Sequence, residues 1–371
     1  MKNKKKILYF VSEDWYFVSH RIDLAIEAIQ RGYEVTLLSN INEKKDLIES
    51  KGINTIHLPI ERSKKNFLHD LVLFLQVLKI FKKEKPSILH CVSLKPILIG
   101  TLCARFLNNT KIINTFAGLG VLVKYKNSFF LKALIKSVLK FFLKSNSVKI
   151  IVQNQSDKNY FLSNNIVKKE NLFLILGSGV DMNKFTPNLK NTKKIRVILV
   201  SRMLWSKGIR EFVDLANKFI NNRFVSFILM GKIDEKNPDS IPKDYLEALN
   251  LKSNIKWRDH TENVVEELNK SDIFCLPTSY GEGIPKALIE AAACGLPLVV
   301  SSNPGCIEVT ENKLNGFVID QKNSIGFYNS LKQLIESKKL RTKFGEFSRK
   351  KVKHKFSIEN INKQTLNLYD L

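Results

Sequence analysis

Three consecutive segments decide the fold: Lys6-Ile-Leu-Tyr-Phe-Val-Ser12, Arg21-Ile-Asp-Leu-Ala-Ile-Glu-Ala-Ile-Gln-Arg31 and Gly32-Tyr-Glu-Val-Thr-Leu-Leu-Ser39. The first is a short, almost wholly apolar run, as a strand covered on both faces must be. In the second, Ile22, Leu24, Ala25, Ala28 and Ile29 recur at helical spacing, and Gly32 suits the C′ position that ends a helix. The third reads as a strand again. Strand, helix and strand within about 35 residues form a βαβ unit, which requires parallel pairing and helices over the sheet.

The alternation continues outward. Strands are expected at 54–58, 87–92, 111–115, 148–152 and 172–176, and helices over 67–82, 96–107, 128–144 and 157–164. Gly177-Ser-Gly-Val-Asp-Met-Asn-Lys-Phe-Thr-Pro187 breaks the pattern, and a polar run follows. A second series then has strands at 195–201, 225–231, 255–257, 273–277 and 298–301. Its helices are expected at 209–220, 242–249, 264–269 and 285–294, with helices from there to the end. The chain of 371 residues suits two cores of about 170–190 residues each. The expected organisation is a first domain over 1–180, a linker over 181–194, a second domain over 195–357 and a C-terminal helix over 358–371. Both domains are α/β and doubly wound. Such sheets bind ligands beyond the carboxyl ends of their strands, and two of them facing each other place the site in the cleft between.

Composition narrows the function. Hydrophobic residues make up 44% and charged residues 26%, ordinary for a globular protein, but the net charge is +25. An excess of that size points to an anionic partner: nucleic acid, an acidic membrane surface or a phosphorylated substrate. The charge is concentrated. Residues 61–150 hold 17 Lys and Arg against Glu61, Asp70 and Glu84 alone, and no acidic residue occurs from Lys85 to Ser156. No nucleic-acid-binding motif is present. Cys91, Cys103, Cys275, Cys294 and Cys306 are irregularly spaced in apolar contexts and read as reduced core residues. No Cys/His cluster has metal-ligand spacing. The apolar run after Lys4-Lys-Lys6 ends at Glu13-Asp14, too short for a signal peptide. No run approaches the roughly 18 apolar residues of a membrane span.

The strand at 273–277 leads into Thr278-Ser-Tyr-Gly-Glu-Gly-Ile-Pro-Lys-Ala-Leu-Ile-Glu290. Pro285 suits the first helical position, and Gly295 and Pro297 stop the helix. A helix N-terminus at a strand exit offers backbone N–H groups, here of Lys286 and Ala287, to a phosphate. Glu282 precedes the helix and Glu290 lies inside it, so two carboxylates can accept hydrogen bonds from two separate polyhydroxyl groups. This Glu-x7-Glu, followed by Ala291-Ala-Ala-Cys-Gly-Leu-Pro-Leu-Val-Val300 and Pro304-Gly-Cys-Ile-Glu-Val309, resembles the retaining GT-B glycosyltransferases of family 4, group 1. The resemblance implies two Rossmann-like domains facing across a cleft. It also implies that Glu282 holds the donor sugar's hydroxyls and Glu290 the ribose of the nucleotide, with Gly283, Ile284, Lys286 and Ala287 lining the donor.

Further motifs agree. Arg202 and Lys207, in Ser201-Arg-Met-Leu-Trp-Ser-Lys-Gly208, follow the first strand of the second domain. Two cations there can neutralise a departing diphosphate, the role the family gives its matching Arg and Lys. Asp259 and His260 stand where the family packs the nucleotide base. No Asp-x-Asp occurs, so a metal-held diphosphate is not suggested and no cofactor beyond the nucleotide-sugar donor is expected. Two departures fall in the first domain. The family's Gly-Gly loop after the first strand is replaced by Ser12–Arg21, without glycine, where His20 and Arg21 would open the next helix and Arg21 could hold an acceptor phosphate. The family's His near the fifth strand is replaced by Thr115-Phe116. His90 reads as a satisfied core histidine, and no catalytic base is evident. Retaining enzymes of this kind are thought to use a donor phosphate oxygen instead.

Lys132, Lys136, Lys140 and Lys144 recur every four residues among aromatic and aliphatic side chains, a pattern that suits an anionic membrane surface. The bland alternative is that the apolar residues are core and the lysines merely solvated. The pattern is similar to transferases that extend an undecaprenyl-diphosphate-linked sugar in bacterial glycan assembly, including N-acetylgalactosaminyltransferases acting on lipid-linked bacillosamine. Lys95 is a further candidate for the acceptor diphosphate, with Arg21, His20 and Thr115. The expectation is a transferase moving a sugar from a nucleotide sugar, of UDP type, to a polyprenyl-diphosphate-linked glycan. It would work in surface polysaccharide or glycoprotein glycan synthesis, peripheral on the cytoplasmic face of the inner membrane. A soluble acceptor, or a nucleotide-sugar epimerase or phosphorylase on the same fold, are the alternatives.

Overall fold

The computed structural model describes residues 5–60, 67–107, 109–120, 129–145, 147–188, 194–235, 237–252, 254–259, 261 and 263–371. The chain divides into two units, one of Met1–Ser178 with Ile361–Leu371 and one of Gly179–Asn360. Each is built on one parallel sheet.

In unit 1, β1 (Lys6–Glu13), β2 (Glu34–Asn40), β3 (Asn54–His57), β4 (Ile88–Val92), β5 (Lys111–Phe116), β6 (Val148–Val152) and β7 (Leu172–Leu174) lie in the order β3-β2-β1-β4-β5-β6-β7. Helices α1 (Asp14–His20), α2 (Ile22–Gln30), α3 (Lys45–Glu49), α4 (Phe67–Glu84), α5 (Leu94–Ala104), α6 (Phe129–Leu143) and α7 (Gln155–Ser163) make the connections. Alternate strand residues feed two cores. Leu8, Phe10, Leu89 and Cys91 pack with Val77, Phe81 and Leu139 on one face. Ile7, Tyr9, Val11 and Val92 pack with Leu24, Ala25 and Ala28 on the other. Gly32 has φ +88 at the end of α2, the left-handed conformation expected of it.

Three features of this unit go beyond or against the sequence reading. Ser12–Arg21 is not a loop. The strand runs on to Glu13 and α1 follows at once, so His20 ends that helix and Arg21 joins it to α2. The cause is tertiary: the buried Asp14 carboxylate accepts the backbone N–H groups of Asn42 (2.6 Å) and Lys44 (3.1 Å) from beyond β2. Secondly, α3 was not anticipated. Thirdly, α6, read as a basic and apolar surface with a core alternative, divides its apolar side chains. Leu139 and Leu143 are core, while Phe141 is exposed, Lys136 and Lys140 are half-buried and Lys144 is exposed. The side chain of Lys132 lies outside the described residues.

The C-terminal helix, α15 (Ile358–Asp370), completes unit 1. Its Tyr369 hydroxyl meets the Tyr9 hydroxyl at 2.9 Å and His90 Nδ1 at 2.6 Å. His90 Nε2 meets Thr115 Oγ1 at 2.8 Å. His90 is thus a fully buried core histidine with both ring nitrogens satisfied. Lys111 Nζ caps the end of α15 through the Tyr369 carbonyl at 2.7 Å.

Unit 2 has β8 (Ile195–Val200), β9 (Val225–Met230), β10 (Ile255–Arg258), β11 (Ile273–Leu276), β12 (Leu298–Ser301) and β13 (Gly316–Ile319), in the order β10-β9-β8-β11-β12-β13. Its helices are α8 (Ile209–Lys218), α9 (Lys243–Leu249), α10 (Val264–Asn269), α11 (Lys286–Ala293), α12 (Pro304–Val309), α13 (Ser324–Glu336) and α14 (Lys338–Lys355). The helices-only ending is corrected by β13, an edge strand. Its Gly316 packs so close to β12 that an added Cβ would lie 2.1 Å from the Leu298 carbonyl oxygen. Residues 181–188, read as the start of a linker, are tied to unit 2, because Arg349 donates to the carbonyls of Met182, Phe185 and Ala293. The linker's residues 189–193 lie outside the described ones. All five cysteines are buried and unbonded to one another.

Burial holds His90 neutral, pushing its pKa well below 6.5, and the Arg21 charge adds to that. Below about pH 6.5 the unfolded chain binds a proton that the native imidazole refuses, so stability rises with pH in that window and is lost as pH falls. The slope is at most about 1.4 kcal/mol per pH unit. Urea midpoints at pH 7.5 and 5.5 should therefore converge in His90→Gln relative to the wild type; equal pH slopes would contradict this.

Candidate donor site

The site is assembled where the strand order of unit 2 reverses, between β8 and β11, the position at which doubly wound sheets bind ligands. After β8 the chain crosses Arg202 and enters a tight turn, Trp205–Lys207. Two neighbours clamp this turn. The β9–α9 connection bonds along it, with Met203 N donating to Lys232 O (3.0 Å), Trp205 N to Asp239 O (3.0 Å) and Ser206 N to Asp239 Oδ2 (3.1 Å). The exit of β11 grips it from the other side: Ser279 N (2.8 Å) and Thr278 Oγ1 (3.1 Å) both donate to Ser206 O. Gly208 has φ +81, and an added Cβ would sit 2.2 Å from the Pro277 carbonyl oxygen, so only glycine allows this seating.

The clamp fixes Lys207, which is 6% exposed. Its ammonium pairs with Glu282 Oε1 and lies 4.5 Å from the centre of the Tyr280 ring. A buried ammonium needs such a partner, because desolvating an unpaired charge costs several kcal/mol or more. Arg202 stands by the same tyrosine, its Cζ 5.8 Å from the ring centre, and its Nη1 meets Asp234 Oδ2 at 2.6 Å. Burial opposes the guanidinium charge, but Tyr280 and Asp234 outweigh it and raise the Arg202 pKa.

The loop bearing Tyr280 and Glu282 is held from β12. Asn303 Nδ2 donates to Tyr280 O (2.8 Å), and α12 presses so closely that a Cβ on Gly305 would lie 1.5 Å from the Gly283 carbonyl oxygen. Ile284 is buried, and Pro285 precedes α11 in extended conformation with ψ 118. Pro285 is therefore the N-cap rather than the first helical residue, which is Lys286, followed by Ala287. Glu290 lies about one turn further in, is 13% exposed, and has Lys286 Nζ at 3.9 Å from Oε1. Burial pushes its carboxyl up, against the pull of Lys286 and Lys184.

The fold thus gathers Arg202, Lys207, Glu282, Gly283, Ile284, Lys286, Ala287 and Glu290 around adjacent strand exits. Asp259 is exposed just beyond β10, two strands from β8, hence about 10 Å aside. His260 lies outside the described residues. Tyr280 and Asp234 were not singled out from the sequence. Tyr280 lies inside the quoted segment, so proximity to Glu282 was its one signal; Asp234 had none. Among the described residues no group of three or more His, Cys, Asp or Glu side chains is placed to hold a metal ion.

The unit 1 candidates are more scattered. Arg21 is buried at the α1–α2 junction, not a surface residue. The His20 ring stacks on Tyr16, with centroids 4.1 Å apart, and its Nδ1 meets Ser19 Oγ at 2.5 Å. Lys95, on α5, is paired with Asp70 of α4 at 2.7 Å. Thr115 is corrected: it is 1% exposed with its hydroxyl on His90, a core position rather than an acceptor-facing one.

Comparison with known proteins bears on the family and the fold. Residues 181–351 match the family model described as glycosyl transferases group 1, and residues 6–154 match glycosyl transferase 4-like. The chain is 28% identical over 329 residues, 83% of each chain, to the N,N'-diacetylbacillosaminyl-diphospho-undecaprenol alpha-1,3-N-acetylgalactosaminyltransferase of Campylobacter jejuni. It is 27% identical, over 81% of each chain, to the capsular polysaccharide biosynthesis glycosyltransferase CapM of Staphylococcus aureus. Among solved structures, HepE of Anabaena in complex with UDP superposes with a TM-score of 0.77 at 16% identity, covering 99% of this chain and 100% of that one. A glycosyltransferase from Rickettsia africae gives 0.77 at 21% identity, covering 99% and 98%. With both of its parallel-sheet units matched, the chain belongs to the group 1, family 4-like glycosyltransferases of GT-B fold.

Proposed function

We propose that this glycosyltransferase moves a sugar, with retention of anomeric configuration, from a UDP-sugar to a polyprenyl-diphosphate-linked glycan. The observation that carries the donor half is the group Arg202, Tyr280, Lys207 and Glu282 at the point where strand order reverses. Two cations held 4.5 and 5.8 Å from one aromatic ring, each fixed by a carboxylate, are preorganised to engage a diphosphate. Charge develops on that diphosphate as the glycosidic bond breaks, so preorganised cations favour the transition state over the ground state. Lys207 engages one oxygen of Glu282, which leaves the carboxylate's other edge for hydroxyls of the departing sugar. Glu290 is assigned to the ribose, the α11 N-terminus with Lys286 and Ala287 to phosphate oxygens, and Asp259 with His260 to the base.

The acceptor half is supported by the relatives. One carries diphospho-undecaprenol in its name, and a third, 26% identical over 74% of this chain, is the UDP-Gal:alpha-D-GlcNAc-diphosphoundecaprenol alpha-1,3-galactosyltransferase of Escherichia coli. Among the described residues no helix is long and apolar enough to cross a membrane. Unit 1 offers a peripheral contact instead. Leu71, Val72 and Leu75 are exposed on α4 together with Lys79, Lys82 and Lys83, and Phe106 and Phe141 are exposed as well. Apolar side chains among lysines suit the interface of an anionic bilayer, and we place the protein there, on the cytoplasmic face.

Glu282→Gln and Lys207→Met should each lower transfer at least about 100-fold and lower the melting temperature, since each leaves a partner charge unpaired. The double variant should regain stability without regaining activity. Activity returning with stability would reduce the pair to a structural ion pair. In flotation with vesicles containing anionic lipid, the protein should rise with the vesicles at low salt, and Leu71→Ser/Leu75→Ser should remain behind; equal flotation of both would remove the membrane contact from α4.

A further inference from the structure

Arg21 is a charge that the fold does not balance. It is 4% exposed. A guanidinium cannot shed its proton in a protein, so it must be paired or destabilise its surroundings. Among the described residues no carboxylate pairs with it, and its buried Nε has no hydrogen-bond partner. The buried carboxylate at the opposite end of α1, Asp14, is occupied elsewhere, by the N–H groups of Trp15, Asn42 and Lys44. Arg21 instead acts on neutral groups: its charge is felt by Tyr9, His90 and Tyr369. Those three are already bonded to one another and to Thr115.

Its position matters as much as its charge. Arg21 is the N-cap of the nine-residue helix α2, and it follows β1, whose neighbour β4 marks where the strand order of unit 1 reverses. Arg21 thus opens the helix that leads back from the β1 side of that reversal, with α1 between it and the strand, and unlike Arg202 and Lys207 it has no carboxylate partner among the described residues. The helix N-terminus adds partial positive charge to the same place. A planar guanidinium suits a carboxylate or phosphate, which it can bind through two parallel hydrogen bonds.

We propose that Arg21 anchors an anion subsite in unit 1 that takes a phosphoryl group of the acceptor. That the anion belongs to the acceptor rests on the function proposed above; that the subsite binds a phosphate or diphosphate does not. The missing counter-ion then arrives with the substrate. The free protein tolerates a destabilising charge, and acceptor binding relieves it.

The test compares wild type, Arg21→Met and Arg21→Lys, with UDP held at saturation to fill the donor site. Inorganic pyrophosphate should raise the melting temperature of the wild type by several degrees and leave that of Arg21→Met unmoved. Without pyrophosphate, Arg21→Met should melt at or above the wild-type temperature, because it deletes an unpaired buried charge. In transfer assays the KM for a polyprenyl-diphosphate-linked acceptor should rise at least tenfold in Arg21→Met, with the donor KM within twofold. Arg21→Lys, which keeps charge but loses the planar fork, should fall between. A short-chain soluble diphosphate acceptor should show the same loss, which separates phosphoryl recognition from lipid recognition. A lower melting temperature for Arg21→Met, an unchanged pyrophosphate response, or an equal KM loss on a phosphate-free glycoside would each overturn the subsite. If the wild type ignores lipid-linked acceptors but keeps an Arg21-dependent pyrophosphate response, the acceptor reading fails and the anion subsite stands.

Discussion

The buried pairing of Lys207 with Glu282 is the constraint around which unit 2 is arranged. An ammonium removed from water must find a carboxylate at the right place, and the two residues lie 75 positions apart. Bringing them together requires β8 and β11 to be adjacent, which the strand order provides. It also requires their exits to approach more closely than side chains allow. Gly208 against Pro277 is where those two exits meet, and Gly231 against Ser201 and Gly305 against Gly283 are further close backbone approaches beside the site. These glycines carry no chemistry, yet the charges cannot be set without them.

Much of this was legible. The hydrophobic runs of parallel strands and the periodicity of α2 and α8 depend on local pattern, and local pattern is what a sequence displays. The Glu282–Glu290 segment could be read because a strand exit, a proline and an alanine-rich helix occur together. What escaped was set by distant contacts. Helix α1 opens with Asp14-Trp-Tyr-Phe17, poor helix formers, and is fixed by N–H groups from beyond β2. Strand β13 is four residues long and depends on glycine packing against β12. Asp234 reaches Arg202 from the loop that follows β9, a different strand. Thr115 sits at the strand position that the resemblance marks, but its hydroxyl faces His90 in the core.

The two units treat positive charge differently. In unit 2 each site cation has its carboxylate, so an arriving diphosphate must compete with Asp234 for Arg202. In unit 1 the charge of Arg21 is left open, and the surface of α4 mixes lysines with exposed leucines. The basic excess read from composition is therefore not one property. Part of it is surface charge, and part is buried, paired in Lys207 and without a carboxylate partner among the described residues in Arg21.

Unit 1 is discontinuous: Ile361–Leu371 belong to it, but Gly179–Asn360 intervene. During synthesis, Tyr9 and His90 emerge early and wait for Tyr369. At about 5–20 residues per second, the intervening stretch takes roughly 10–40 s to make. Through that interval unit 1 exposes the apolar groove later filled by Ile361, Leu366, Leu368 and Tyr369, with two buried polar groups unsatisfied. The nascent chain therefore carries one unfilled apolar face until α15 is made, the kind of transient surface that invites aggregation, and the seat of α15 is a demand on folding as much as on the finished structure.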